Sequence, residues 1–132
     1  MLLVGRILVT FSLALLFFAY SNFAPTALGS PDIADYVKNH FVREMIFGAV
    51  LAALAIFLLY QSLDFRQWVL IAAVGSIVVL PFWVAALFGW TTGGMQLAWR
   101  GEIEPSSAYW LHGSQVVTFY LGLLVLYLSV ER

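Results

Sequence analysis

The chain contains no cysteine. That excludes disulfides, thiolate metal sites, cysteine-ligated iron–sulfur clusters and every cysteine-based redox mechanism, and it removes cysteine usage as a guide to compartment. Charge is scarce too. Charged residues make up 10% of the sequence, against about 25% in a soluble domain. Six basic and seven acidic residues leave a net charge of −1, so no basic face points to nucleic acid and no lysine/arginine tract forms a binding tail. Reaction motifs are missing as well: no nucleophile elbow, no phosphate-binding glycine loop and no HExxH. The middle of the first apolar run has no acid, which a small proton-coupled multidrug exporter would need there.

What the chain does have is apolar length. Hydrophobic residues make up 63% of it, in four runs over about 2–23, 41–60, 68–90 and 108–129. An α-helix rising ~1.5 Å per residue needs ~20 residues to cross ~30 Å of hydrocarbon, and each run reaches or approaches that length. The expected fold is all-α: a single-domain, integral membrane four-helix transmembrane bundle with short interfacial helices. The first run also invites reading as a cleaved signal peptide, with Arg6 as its basic region and Ala27-Leu28-Gly29 as small residues near a cleavage point. Its apolar stretch from Ile7 past Tyr20 is long for that role, which favours a retained helix.

The connections refine the picture. Pro25 lacks a donor and clashes with the preceding turn, so it predicts an end of the first helix near Phe23 and a loop over 24–30. Ser30-Pro31-Asp32 reads as a capped helix start, and Ile33, Tyr36, Val37, His40 and Phe41 fall on one face. An interfacial helix over about 31–40 therefore leads into the second crossing, with or without a bend. Only 61–67 separates the second and third runs, which makes those helices antiparallel neighbours. Pro81 predicts a kink in the third, because it cannot donate to the Ile77 carbonyl; a neighbouring helix, a water or the Ser76 hydroxyl could satisfy that oxygen instead. The last connection, 91–107, holds Gly93-Gly94, a one-turn amphipathic piece from Met95 to Trp99, and Pro105-Ser106-Ser107 opening the fourth helix.

Four crossings put both termini on one side and the two long connections on the other. Basic residues tie at three each: Arg6, Arg66 and Arg132 against Lys38, Arg43 and Arg100. Arg66 in the shortest connection and the N-terminal amine favour cytoplasmic termini. The second and fourth helices then start at the same end, which brings His40, Arg43 and Glu44 into one leaflet with Tyr109, His112 and Gln115, below Arg100 and Glu102. His112, Gln115 and Thr118 recur every third residue. That stripe lines a ligand pocket or, alternatively, packs helix against helix. Glu44 is the notable acid, because charges within a spanning segment are costly and are paired or functional; its partners by position are His40, Arg100 and His112, with a solvated interfacial charge as the plain alternative. Arg6 reads as a snorkelling residue within reach of Asp64. The candidate ligand-binding set is thus Glu44, His112, Gln115, His40, Arg43, Arg100 and Thr118, with no catalytic or metal-ligating set. No cofactor is expected; the alternatives are haem on the two histidines, for which no supporting motif exists, or a bound quinone. Trp68, Trp90, Trp99, Tyr109 and Trp110 read as interfacial anchors.

The layout resembles the DoxX-like group of small four-helix bacterial membrane proteins. The points of likeness are Gly5-Arg6-Ile7-Leu8, Tyr20-Ser21-Asn22-Phe23, Arg43-Glu44-Met45-Ile46-Phe47-Gly48 and Asp64-Phe65-Arg66; Asn22 stands near where that group commonly carries a lysine. The resemblance implies an accessory subunit of the bacterial inner membrane, tied in some relatives to quinone or redox partners. Two functional readings follow. One is a non-catalytic accessory or structural subunit packed against other membrane subunits or its own copies. The other is a binder of a small amphiphile, quinone or lipid, between helices two and four.

Overall fold

The structure, a computed structural model, describes residues 1–31, 33–88, 96–97, 102–103 and 106–130. Five helices account for nearly all of them: α1 (Leu2–Gly29), α2 (Asp35–Leu59), α3 (Phe65–Val79), α4 (Pro81–Phe88) and α5 (Ser106–Tyr127). Two short strands, β1 (Gln96–Leu97) and β2 (Glu102–Ile103), pair antiparallel with Gln96 opposite Ile103 and Leu97 opposite Glu102. Among the described residues, three stretches are long and apolar enough to cross a membrane: Leu2–Ser21, Lys38–Leu59 and Tyr109–Tyr127.

Several boundaries differ from those read in the sequence. Helix α1 does not stop near Phe23; it runs through Pro25 to Gly29. One proline removes one backbone bond, and the remaining bonds along 28 residues outweigh that loss. The stop comes from Pro31, which forces the residue before it out of the helical region; Ser30 accordingly sits extended at φ −71°, ψ 126°. Ser30 therefore ends α1 instead of capping the next helix. The interfacial helix expected over about 31–40 is not set off by a bend from Asp35 onward. Helix α2 begins at Asp35 and is continuous to Leu59, so Tyr36 to His40 form its first turns. Within the expected helical piece from Met95 to Trp99, Gln96 and Leu97 are instead strand residues paired with Glu102 and Ile103; Met95, Ala98 and Trp99 lie outside the described residues.

The third run divides where proline predicts. Leu80 separates α3 from α4, its amide donating to the Ser76 carbonyl at 3.0 Å. The Ser76 hydroxyl meets the Tyr120 hydroxyl at 2.9 Å, on α5. Helix α3 starts at Phe65, three residues before the apolar run, because the Asp64 carboxylate accepts from the Gln67 amide at 2.6 Å and caps it.

Packing is uneven. Helix α1 lies most intimately on α5, antiparallel, and also touches α2 and α3; α3 lies between α2 and α5. Helices α2 and α5 hold opposite corners, separated by α1 and α3. Glycine sets the closest approach. A Cβ built on Gly122 would lie 3.0 Å from the Val9 backbone nitrogen and 2.8 Å from Val9 Cγ2, so only hydrogen fits between the two backbones. Around that crossing sit the buried Val9, Leu13, Phe119, Leu123 and Leu126, joined by Ala52, Ala55 and Leu59 from α2 and Ile71 and Val79 from α3.

Candidate functional site

The polar residues singled out in the sequence fall into two groups, not one. The first lies where α4, α5 and α1 meet. Gln115 is 1% exposed, and a buried amide must find both a donor and an acceptor. Its Nε2 donates to the Ser12 carbonyl at 3.3 Å, and its Oε1 lies 3.2 Å from His112 Nδ1. Ser12 Oγ, fully buried, donates to the Gln115 carbonyl at 2.7 Å. The amide is thereby fixed in one orientation, and its oxygen requires the proton of His112 to be on Nδ1. The imidazole in turn stacks on Phe82, with ring centroids 4.0 Å apart and 18° between planes. Tyr109 packs edge-on against Phe82, and Trp83 donates its indole proton to the His112 carbonyl at 3.3 Å.

Apart from the His112–Gln115 contact, which lies within α5, the bonds in this group tie one element to another. Gln115 and Ser12 lock α5 to α1, and His112, Phe82 and Trp83 lock α4 to α5. Thr118 is half-buried one turn beyond Gln115.

The second group occupies α2. His40 Nε2 and Glu44 Oε1 are 2.9 Å apart, one turn from each other, on side chains 72% and 64% exposed. Glu44 thus takes the partner that sequence position offered within its own helix. Arg43 is exposed beside them. Together with Tyr36, Asn39 and His40 it lines an open cleft of about 420 Å³. Arg100 lies outside the described residues.

Because α2 and α5 hold opposite corners, His40 and His112 do not converge on a common space as two axial haem ligands would have to. Among the described residues, no group of three or more histidine, aspartate or glutamate side chains is placed to hold a metal ion.

No family model matches this chain, and neither a curated protein nor a solved structure does.

Arg6 has a role that the sequence did not disclose. It does not reach for Asp64, which caps its own helix. Its Nε donates to the Leu59 carbonyl and one terminal nitrogen to the Gln61 carbonyl, each at 3.0 Å, and the guanidinium lies 5.4 Å from the Tyr60 ring centroid. It places a positive charge on the C-terminal carbonyls of α2, where the helix dipole favours one. Trp68, read as an interfacial anchor, likewise turns inward and donates to the Leu123 carbonyl at 2.9 Å; Trp110, by contrast, is 80% exposed. Ser12 and the Phe82–Trp83 pair were also missed. A small hydroxyl in the middle of an apolar run and an aromatic pair directly after Pro81 were the signals available.

Proposed function

We propose that the chain is a four-crossing integral membrane protein of the bacterial inner membrane that serves as a non-catalytic accessory or structural subunit, related to the DoxX-like group. In this reading α3 and α4 together make the fourth crossing: their span, 65–88, at ~1.5 Å per residue is long enough despite the break at Leu80. Both termini then share the cytoplasmic side with the turn after α2. The observation that carries the functional reading is where the inward polar side chains go. Ser12, Gln115, Arg6, Trp68 and Trp83 each donate to a backbone carbonyl of another element. Groups so engaged hold helices in register and are not poised to bind or transfer anything.

The outward surfaces suit a partner or lipid. Ile46, Phe47, Val50 and Phe57 on α2 and Ile7, Phe11 and Phe18 on α1 are all more than half exposed, and a lipid or protein neighbour must cover such a surface in a membrane. Gentle extraction into mild detergent, followed by native mass spectrometry, tests the assignment. A subunit co-purifies with other membrane proteins or with copies of itself; a chain that always runs as a lone monomer contradicts it.

A further inference from the structure

The outer face of α2 carries a stripe that changes character part-way along. At its start Tyr36, Asn39, His40 and Arg43 line the open cleft. Continuing at the same alternation of four and three residues come Phe47, Val50, Leu54 and Phe57, which are 62%, 60%, 42% and 62% exposed. Residues so spaced share one helix face. The polar third meets the apolar two-thirds at Arg43, five residues into the apolar span that begins at Lys38. At ~1.5 Å per residue that is about 8 Å along the axis, the depth from which an arginine stem reaches the headgroup layer.

From this register we infer that the α2 face is a binding site for one anionic phospholipid. Its phosphate sits in the cleft and one acyl chain lies along Phe47 to Phe57. The chemistry is specific to an anion with an apolar tail. Among the described residues, Arg43 forms no ion pair, because the neighbouring Glu44 carboxylate is taken by His40. Its guanidinium is therefore available to bind phosphate through two parallel N–H bonds. The Asn39 amide and the Tyr36 hydroxyl add donors at the same level. Tyr36, 77% exposed at the membrane boundary, also suits the amphipathic interface. A zwitterionic lipid would bring its own cation beside Arg43 and gain less. The site stands independently of any partner subunit.

Spin-label electron paramagnetic resonance on the full chain in phosphatidylcholine vesicles tests it. Trace spin-labelled phosphatidylglycerol is compared with spin-labelled phosphatidylcholine for the motionally restricted fraction. One interfacial cation gives a roughly five-fold preference for the anionic lipid. Arg43→Gln should remove that preference. Lys38→Gln, five residues away on another face, should leave it, and both variants should keep the helical circular dichroism of the parent. Equal loss in the two variants, or no loss in Arg43→Gln, overturns the site. Millimolar inorganic phosphate should not displace the labelled lipid; displacement would make the site one for free phosphate and overturn the lipid assignment. High-yield disulfide pairing between chains of Phe47→Cys, with no phosphatidylglycerol preference in the parent, would assign the face to a second copy and also overturn it.

Discussion

Gly75→Ala should destabilise the protein even though alanine is the better helix former. Gly75 is buried on α3 where the Phe119 ring of α5 lies against it, and Phe119 is fully buried. A Cβ on Gly75 would overlap Cζ and Cε2 of that ring. Carbon atoms settle at about 3.5–4.0 Å, so the ring or the helices must shift by roughly an ångström or more. Overpacking of that kind costs about 1–3 kcal/mol, and the overlap of two ring carbons at once puts this case near the upper end. Replacing glycine in a helix returns about 1 kcal/mol. The net expectation is a loss of roughly 2 kcal/mol. Phe119→Leu removes the ring atoms, so the double variant should be less destabilised than the sum of the singles, with a coupling of about 1–2 kcal/mol. Reversible unfolding in mixed detergent micelles, followed by circular dichroism, measures all three variants. Strict additivity, or a Gly75→Ala variant as stable as the parent, would refute the reasoning.

Other substitutions separate buried bonds from exposed ones. In Gly113→Ala the new methyl meets only Trp83 Cζ2 at 3.7 Å, an ordinary contact, so the same unfolding assay should show a neutral effect or a gain of up to about 1 kcal/mol. Gln115→Leu breaks the links to His112 and Ser12 and leaves the His112 Nδ1 proton without its acceptor; a loss of about 1–3 kcal/mol is expected, accompanied by a change in Trp83 fluorescence as α4 loosens from α5. Arg6→Met, which strips the charge from the end of α2, should cost about 1–2 kcal/mol and speed amide exchange in its last turn. Glu44→Gln alters an exposed pair and should change stability by no more than a few tenths of a kcal/mol.

Apolar length was readable directly, because crossing hydrocarbon demands it of the sequence. The first, second and fourth runs each contain a stretch fit to span a membrane. The Pro81 break was equally legible, since a missing donor acts locally. Pro25 shows the limit of that rule: a proline lowers helix stability at one point without dictating where the helix stops, and the stop came instead from Pro31 acting on Ser30. The grouping of polar residues was not readable either. Which corners α2 and α5 take depends on where glycine allows backbones to touch. Gly122 against Val9 brings α5 onto α1, and that draws Gln115 towards Ser12 and away from α2. Arg6 escaped notice for a related reason. Its partners are backbone carbonyls, which carry no signature in side-chain sequence.

The absence of native cysteine makes the central test direct. Single cysteines introduced at Ser62, in the turn after α2, at Pro31, just after α1, and within 91–107 can be probed in intact cells with a membrane-impermeant maleimide. Four crossings with cytoplasmic termini require Pro31→Cys and the 91–107 cysteine to label from outside, and Ser62→Cys to label only after permeabilisation. Labelling of Ser62→Cys and the 91–107 cysteine from the same side would mean that α3 and α4 do not cross, and would contradict the four-crossing architecture.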